Sequence, residues 1–339
     1  MVLMKTNLSI CVVGLGRAGN FHLTSIKQLD SLTLHSVVDT DALLAESVAT
    51  EFGCKWSTDL NELLKDDSLD AVVVASPTDA HFEYIKQALS AGKHVFTEKP
   101  VGHTVAEINT CFELATEHNR ALHLGFQRRL DKNFAALKRR LPELGEARIV
   151  KASSRDNPKP SYEYLSISGN IFHDMLIHDF DMLMFLFGAK VPASVFAVGH
   201  AYDKTIAGFD DYDTVLVSIK YADGLVCSID TSRTSAYGYD QRIEVFGENG
   251  MATVDNERNN SVNVYTLSGG SHEPFNHSFP ERYKEAYLEE MKQFALGINE
   301  GVFTNVAQDE CVLSHQIADA ALESIQTGLA VDFTAFTKR

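Results

Sequence analysis

The sequence has few features of a secreted or membrane-spanning protein. Its five cysteines are scattered without a CxxC pair, at Cys11, Cys54, Cys111, Cys227 and Cys311. Such a pattern fits a reducing compartment better than a disulfide framework. The first residues, MVLMKTNLSICVVGLG, lack a basic region and a cleavage site, and no apolar run approaches the roughly 20 residues of a transmembrane helix. We therefore expect a cytoplasmic protein without a membrane partner.

Positive charge is also scarce. The chain has 30 Lys and Arg residues against 46 Asp and Glu, for a formal charge of −16 at pH 7. Nucleic acids and anionic membranes are polyanions that favour Lys and Arg patches, so this balance argues against both as partners. The hydrophobic content of 45% is that of a globular protein. A length of 339 residues exceeds one ordinary core and predicts two domains.

The order of predicted elements divides the chain into two parts. From Leu8 to about Phe126, short β-rich runs alternate with helical stretches, which predicts a doubly wound parallel sheet. Beyond Glu146, longer alternating segments, SVNVYTL among them, and hairpin turns at 222–224 and 248–250 predict a second, largely antiparallel sheet. One helix interrupts this sheet, and two helices follow it at about 280–300 and 308–329. We predict domains at 1–126 and 127–339.

A glycine-rich turn lies between the first predicted strand and helix. VVGLGRAG places Gly14, Gly16 and Gly19 in GxGxxG spacing, with Arg17 and Ala18 opening the helix. The first glycine permits a tight turn, the second lets backbone approach a pyrophosphate, and the third lets helix and strand pack closely. The helix N-terminus offers N–H groups to the anion. This pattern predicts a dinucleotide site.

Asp39 identifies the favoured dinucleotide. It ends the second predicted strand, twenty residues after Gly19, where a carboxylate can accept hydrogen bonds from the adenosine ribose hydroxyls. The same charge would repel a 2′-phosphate, and no Arg follows it, so the sequence favours NAD over NADP. The alternative is a set of ordinary turn glycines and a surface Asp39, and the agreement of strand, helix and carboxylate disfavours it.

Two later loops leave the carboxyl ends of strands, the edge at which open α/β sheets bind ligands. One is SPTDAH, residues 76–81, and the other is TEKP, residues 97–100. Pro100 restricts Lys99 to extended conformations, so its ammonium can be directed at a ligand. We predict cofactor contacts from these loops at Ser76, Thr78, His81, Glu98 and Lys99.

The stretch NIFHDMLIHDFDM concentrates ionisable residues within one helix. Asp174 and His178 are four apart and share a face, whereas His173 and Asp179 point elsewhere. The two histidines are five apart, about 140° around an α-helix, which disfavours a shared metal ion. We therefore predict no metal and favour proton transfer, with a structural polar cluster as an alternative. Asp181 stays undecided.

The motifs taken together resemble a known family. The glycine fingerprint, SPTDAH, EKP and HDMLIHDFD are similar to those of the Gfo/Idh/MocA oxidoreductases, within them the inositol 2-dehydrogenase-like branch, from about Leu8 to Leu329. The resemblance implies a Rossmann domain and a C-terminal α+β domain with a large open-faced mixed sheet that forms homodimers or homotetramers. It also implies catalytic roles for Lys99, Asp174 and His178. Oxidation of a secondary alcohol needs a base, and His178 is the natural candidate.

The resemblance further implies a polyol or sugar substrate. Its ring hydroxyls would lie near Gln127, Arg128, Asn157 and Tyr237, as well as Asp174 and His178. Alternatively, the loop residues only pair and pack, as Arg155 with Asp156 would. The hydroxyl-rich segment SYEYLSISGN could cover the pocket.

Three other functions stay open at this point. One is an NADH-dependent reductase of a keto-sugar or diketone, and another is a sensor that binds NAD and a sugar without turnover. The third is a metal-dependent hydrolase or lyase. The presence of Lys99, Asp174 and His178 together favours the dehydrogenase over the sensor.

Overall fold

A computed structural model describes residues 7–338. The chain divides into two compact units, and neither is contiguous in sequence. The first comprises Met1–Leu130 and Glu285–Val312, and the second Asp131–Lys284 and Leu313–Arg339. The predicted functional division at residue 126 stays a prediction.

The first part of the chain alternates strands and helices, as its sequence predicts. In chain order these are β1 (Leu8–Val13), α1 (Arg17–Lys27), β2 (Leu32–Val38), α2 (Ala42–Phe52), β3 (Lys55–Ser57), α3 (Leu60–Leu64), β4 (Ala71–Val74), α4 (Thr78–Ser90), β5 (His94–Glu98), α5 (Val105–Glu117) and β6 (Leu122–Gly125). A 3-10 turn, Gln127–Leu130, follows β6.

The remaining elements are mainly strands followed by helices. They are α6 (Lys132–Arg140), β7 (Ala147–Arg155), α7 (Tyr162–Leu165), α8 (Ile177–Phe187), β8 (Pro192–His200), α9 (Lys204–Ala207), β9 (Thr214–Tyr221), β10 (Val226–Ser232), β11 (Asp240–Gly247), β12 (Met251–Val254), β13 (Asn263–Thr266), β14 (Gly269–His272), α10 (Phe279–Arg282), α11 (Lys284–Glu300), α12 (Gln308–Thr327), β15 (Val331–Asp332) and α13 (Phe333–Phe336). A 3-10 turn, Leu141–Leu144, precedes β7, and a π-helical turn, Phe172–Leu176, runs into α8.

The first unit contains a six-stranded parallel sheet in the order β3-β2-β1-β4-β5-β6. All four residues of β4 are fully buried, as expected for a strand covered on both faces. Aspartates begin the flanking helices: Asp41 accepts backbone hydrogen bonds at the start of α2, and Asp59 does so at α3. The predicted doubly wound parallel sheet is therefore confirmed. The short strand β3 was not predicted.

The second unit contains a seven-stranded mixed sheet in the order β12-β11-β7-β10-β9-β8-β15. Strands β7 and β10 are parallel and the other neighbours are antiparallel. The predicted hairpins at 222–224 and 248–250 join β9 to β10 and β11 to β12. The predicted placement of SVNVYTL in this sheet is wrong, because β13 pairs with β14 in a separate hairpin. All four β13 residues are exposed, so this strand has no buried face with which to join the sheet.

One face of the mixed sheet is buried and the other is exposed. In β9 the residues Val215, Val217 and Ile219 are buried, and their neighbours Leu216 and Lys220 are exposed. On the exposed face a row of cross-strand neighbours joins Met251, Phe246, Ile149 and Val226, each 36% or more exposed. Among the helices of residues 7–338, none has the length and apolar character that a bilayer crossing requires.

Candidate functional site

The predicted dinucleotide turn is built around backbone that has no room for side chains. Gly14 follows β1 with φ of +87°, and a Cβ there would lie 2.5 Å from the backbone of Ser76. A Cβ on Gly19 would lie 2.0 Å from the Gly14 carbonyl oxygen. Beside Gly16, which caps α1 without a side-chain hydrogen bond, the space within 4 Å of a Cβ is open. The opening of α1 is therefore accessible to a pyrophosphate.

Asp39 is held next to this turn. It directly follows β2, and its Oδ2 accepts a hydrogen bond from the Leu15 backbone N–H at 2.8 Å. Its Oδ1 accepts one from the Asp41 N–H at 3.0 Å. These bonds orient the carboxylate at the edge where the strands end. The glycines, the uncovered N-cap and this carboxylate fit an adenine dinucleotide.

His81 connects the two predicted cofactor loops from inside the unit. Ser76 precedes α4, and Thr78 is the first residue of that helix. The buried His81 ring has Nδ1 2.7 Å from the Pro100 carbonyl oxygen and Nε2 2.8 Å from that of Ser76. Burial lowers the pKa of His81. These contacts favour a positioning role for His81, because both ring nitrogens face backbone of the loops.

Glu98 faces the interior, and Lys99 follows it as a half-buried residue. Oε1 of Glu98 accepts a hydrogen bond from Nε2 of the fully buried His22 at 2.7 Å. Oε2 lies 3.0 Å from where a Cβ on Gly125 would be. The Lys99–Pro100 peptide bond is cis. The Glu98 carboxylate is therefore engaged with α1, whereas the predicted cofactor contacts of Glu98 and Lys99 stay predictions.

A second carboxyl group, which the sequence did not reveal, lies near Glu98. Glu290 on α11 is 2% exposed, and neither carboxyl oxygen has a hydrogen-bond partner among residues 7–338. Burial, and after it the charge of Glu98, raises the pKa of Glu290 well above its ordinary value. The buried Glu290 carboxyl therefore carries its proton to higher pH than it would in the unfolded chain.

Glu290→Gln should make the free energy of unfolding less sensitive to pH. Between the ordinary pKa of Glu290 and its raised folded value, the folded state binds more protons, so stability falls as pH rises. This single group contributes a slope of about 1.4 kcal/mol per pH unit there. Denaturant unfolding at pH values from 5 to 8 measures the free energy of unfolding of both proteins. The stability of the variant relative to the parent should increase as pH rises. Glu300→Gln, exposed on the same helix, is the control, and an equal slope in all three proteins would contradict the assignment.

Gln127 and Arg128 lie in the 3-10 turn after β6, and both are buried, with 4% and 3% exposure. The Gln127 side-chain oxygen has no hydrogen-bond partner among the described residues. A buried amide oxygen without a partner costs free energy unless a ligand or water supplies a donor. This observation supports Gln127 as a substrate contact.

The helix that carries Asp174 and His178 is not purely α-helical. Residues Phe172–Leu176 form a π turn with i→i+5 bonding, and α8 begins at Ile177. The prediction of regular α geometry for 172–176 is therefore wrong. Single π turns often occur at functional sites. His178 is half-buried in the first turn of α8, and Asp174 is buried in the π turn.

Asp174 is fixed by two partners that no pattern in the sequence indicates. Arg233 donates from Nη1 to Asp174 Oδ2 at 2.9 Å, and the Tyr164 hydroxyl donates to Oδ1 at 2.6 Å. The other end of the Arg233 guanidinium donates to Asp211 at 2.8 Å. Burial alone would lower the pKa of Arg233, but the two carboxylates outweigh burial and raise the pKa. A fully buried cation therefore orients the Asp174 carboxylate.

The sequence contains a signal for Arg233. Cys227, Ile229 and Thr231 alternate on the buried face of β10, and Arg233 continues the same register beyond the strand end. A charged residue on a buried face requires ionic partners. The partners themselves, Asp174 and Asp211, lie 59 and 22 residues away along the chain, and no local pattern identifies them.

The other ionisable residues of NIFHDMLIHDFDM differ from Asp174 and His178 in their contacts and burial. Asp179 Oδ1 accepts a hydrogen bond from Ser154 at 2.5 Å, which favours a structural role. His173 faces Asp319 of α12, with 2.9 Å between Nε2 and Oδ1. Asp181 is fully buried.

Asn157 and Tyr237 make contacts of their own within the second unit. Asn157 donates to the His277 carbonyl oxygen at 2.8 Å. The Tyr237 hydroxyl accepts from Arg155 at 2.6 Å and donates to Asp240 at 2.5 Å. These contacts favour the packing alternative for Tyr237, and the substrate roles of both residues stay predictions.

Comparison with known proteins places this geometry in a family. Residues 8–126 match the family described as "Oxidoreductase family, NAD-binding Rossmann fold", and residues 135–253 match the "GFO/IDH/MocA C-terminal domain". The chain is 36% identical over 318 residues to an inositol 2-dehydrogenase of Rhizobium meliloti, with 93% of this chain and 96% of that protein covered.

Two solved structures share the fold over nearly the whole chain. A myo-inositol dehydrogenase from Corynebacterium glutamicum has a TM-score of 0.89 at 34% identity, covering 96% of this chain and 98% of that one. A scyllo-inositol dehydrogenase from Lactobacillus casei, solved with bound NAD(H) and scyllo-inositol, has a TM-score of 0.90 at 26% identity, covering 97% and 99%. The chain therefore belongs to the Gfo/Idh/MocA family of oxidoreductases and uses NAD as its cofactor.

Proposed function

We propose that this protein oxidises one secondary hydroxyl of a cyclic polyol or sugar of the inositol type to a ketone. The observation that carries the proposal is the buried Asp174 carboxylate, held between Arg233 and Tyr164 one helical turn before His178. The relatives named as inositol dehydrogenases, one solved with scyllo-inositol, support this substrate class. A fixed carboxylate four residues before a histidine on one helical segment is an arrangement suited to moving a proton.

His178 acts in this proposal as the general base. A bound NAD would supply the acceptor for the hydride that leaves the carbinol carbon. The imidazole of His178 takes the hydroxyl proton as the ketone forms. Asp174 supports the imidazolium by its negative charge, and Arg233 prevents the carboxylate from rotating away. The half-buried position of His178 allows its ring to reach a substrate.

The other predicted site residues enter the proposal as binding groups. Lys99 would hydrogen-bond the reacting oxygen and stabilise its developing negative charge. Gln127 and Arg128 would bind ring hydroxyls, which the partnerless oxygen of Gln127 supports. Asn157 and Tyr237 stay second-rank candidates, because both already have hydrogen-bond partners.

Initial rates with a substrate panel test the proposal. The panel contains myo-inositol, scyllo-inositol and related sugars with NAD, and the corresponding ketoses with NADH. We expect the protein to reduce NAD at alkaline pH when a cyclic polyol is the substrate. Activity confined to keto-sugars or diketones with NADH would replace the proposal by the reductase function. NAD binding without turnover on the whole panel would replace it by the sensor function.

We also propose a cytoplasmic homo-oligomer that assembles through the mixed sheet of the second unit. The row Met251, Phe246, Ile149 and Val226 is exposed on one sheet face. Apolar patches of this kind usually mark an interaction surface. Light scattering of the parent measures its oligomeric state, and light scattering of Phe246→Glu tests whether this sheet face is the interface. A monomeric parent would contradict the proposed oligomer.

Asp39→Asn should weaken NAD binding and reduce discrimination against NADP. The substitution keeps the shape of the side chain but removes the charge that favours ribose hydroxyls over a 2′-phosphate. Loss of one charge-assisted hydrogen bond predicts an increase of about 10-fold or more in the Kd for NAD. Fluorescence titration with NAD and NADP measures both values. Asp41→Asn, the same change two residues away, should leave both unchanged, and equal effects of the two variants would contradict the role.

A further inference from the structure

Two helical segments of the second unit bring together three metal-ligating side chains outside the proposed proton-transfer site. His315 and Asp319 are four residues apart on α12, and His173 comes from the π turn. Their candidate ligand atoms lie within 4.8 Å of one another. His173 Nε2 is 2.9 Å from Asp319 Oδ1, and His315 Nε2 is 3.8 Å from Oδ2.

The hydrogen bonds around His173 determine where its proton lies. Asn170 Oδ1 accepts backbone N–H groups from Phe172 at 3.0 Å and His173 at 3.2 Å, which identifies this atom as the amide oxygen. It also lies 3.0 Å from His173 Nδ1, so Nδ1 must donate. In a neutral ring Nε2 then carries a lone pair, and this lone pair faces the Asp319 carboxylate. That contact is repulsive unless a proton or a metal cation lies between the two atoms.

The second histidine completes a set of three candidate ligands. His315 faces the other carboxylate oxygen, with its Nε2 3.8 Å from Asp319 Oδ2. The two rings are 4.9 Å apart between centroids, and the His315 side chain is 4% exposed. A divalent ion allows both rings to remain neutral and to bind through their lone pairs.

We propose that His173, His315 and Asp319 bind one divalent transition-metal ion of the Zn²⁺ type. Zinc bonds to nitrogen and oxygen of about 2.0–2.2 Å place neighbouring ligand atoms roughly 3 Å apart, close to the His173–Asp319 separation of 2.9 Å. The 3.8 Å contact of His315 requires the carboxylate of Asp319, 39% exposed, to rotate. Asn170 accepts a hydrogen bond from Nδ1 of His173, the ring nitrogen that would not bind the metal. Hydrogen bonds of this kind orient metal-binding histidines.

The ion would connect α12 to the π turn that carries Asp174. His173 is the neighbour of Asp174 in sequence, so a metal bond to its ring restrains the backbone of the π turn. The exposed side of Asp319 leaves room for water as a further ligand. His178 is not part of this set, which agrees with the five-residue spacing that separates it from His173.

Cobalt titration of the untagged protein tests the site without any measurement of activity. The protein is stripped with chelator, transferred to metal-free buffer and titrated with Co²⁺, whose visible absorption reports nitrogen and oxygen ligation, with Zn²⁺ as competitor. His315→Gln and Asp319→Asn remove one ligand each. His272→Gln, a change to an exposed histidine in β14, is the matched control.

The expected result is one Co²⁺ per chain in the parent and in His272→Gln, displaced by Zn²⁺. His315→Gln and Asp319→Asn should each bind at least about 100-fold more weakly, since loss of an outer hydrogen bond alone costs roughly 10- to 100-fold. The thermal midpoint of the parent should rise with metal, and that of the folded variants should not. The absence of a saturable equivalent in the parent overturns the proposal, and so does unchanged affinity in both ligand variants.

Discussion

His178→Asn should lower kcat for polyol oxidation by about 10²- to 10⁴-fold, because a general base contributes that much to the rate. Asparagine retains hydrogen-bonding atoms close to the ring nitrogen positions but cannot take a proton at neutral pH. The Asp174 carboxylate keeps its bonds to Arg233 and Tyr164 in this variant. Steady-state rates with the best polyol of the panel give the effect.

The matched controls separate catalysis from binding and folding. His200→Asn changes an exposed histidine at the end of β8 and should leave kcat unchanged. NAD should bind His178→Asn with the affinity of the parent, because the dinucleotide turn belongs to the first unit. A kcat within about threefold of the parent would show that another group takes the proton.

Patterns of short range predicted the fold well. The doubly wound parallel sheet of the first unit follows from alternating strands and helices, although its edge strand β3 does not, and the two hairpins of the second sheet follow from short Gly-containing turns. The glycines and Asp39 lie at the strand ends where the fingerprint required them. These features depend on residues close together in sequence, so periodicity and spacing were sufficient.

Features that depend on distant partners could not be predicted. Helical spacing alone placed Asp174 and His178 on one face, but it could not show the π turn or the Arg233 guanidinium 59 residues later. The sequence around Glu290 is that of an ordinary helix, and only the packing of α11 in the first unit shows that this carboxyl is buried. The failed placement of β13 has the same origin: strand propensity is local, but membership in a sheet depends on a buried face.

Arg233→Met should destabilise the protein by about 3–5 kcal/mol, the usual cost of removing one partner from a buried ion pair. Arg233 is fully buried between Asp174 and Asp211. Methionine fills much of the same volume, so the loss comes mainly from two carboxylates that remain without their cation. Urea unfolding followed by circular dichroism measures the change.

An exposed pair provides the contrast for this prediction. Arg140 lies 2.9 Å from Glu143, with side chains 70% and 59% exposed. Arg140→Met should leave the free energy of unfolding almost unchanged, since exposed ion pairs contribute little. If Arg233→Met and Arg140→Met lose similar amounts of stability, the buried ion pairs of Arg233 contribute no more than an exposed pair.

Arg233 is a single cation between two carboxylates. We therefore expect Asp211→Asn to change stability in opposite directions in the parent and in the Arg233→Met variant. In the parent this change should destabilise the fold, because an asparagine whose oxygen keeps accepting from the Ile171 N–H turns its amide N–H donors towards the Arg233 guanidinium. In the Arg233→Met background the same change removes an unbalanced buried charge and should restore stability. A double-mutant cycle measures both effects. If Asp211→Asn destabilises both backgrounds equally, Asp211 is held by its backbone contact, and Arg233 orients Asp174 alone.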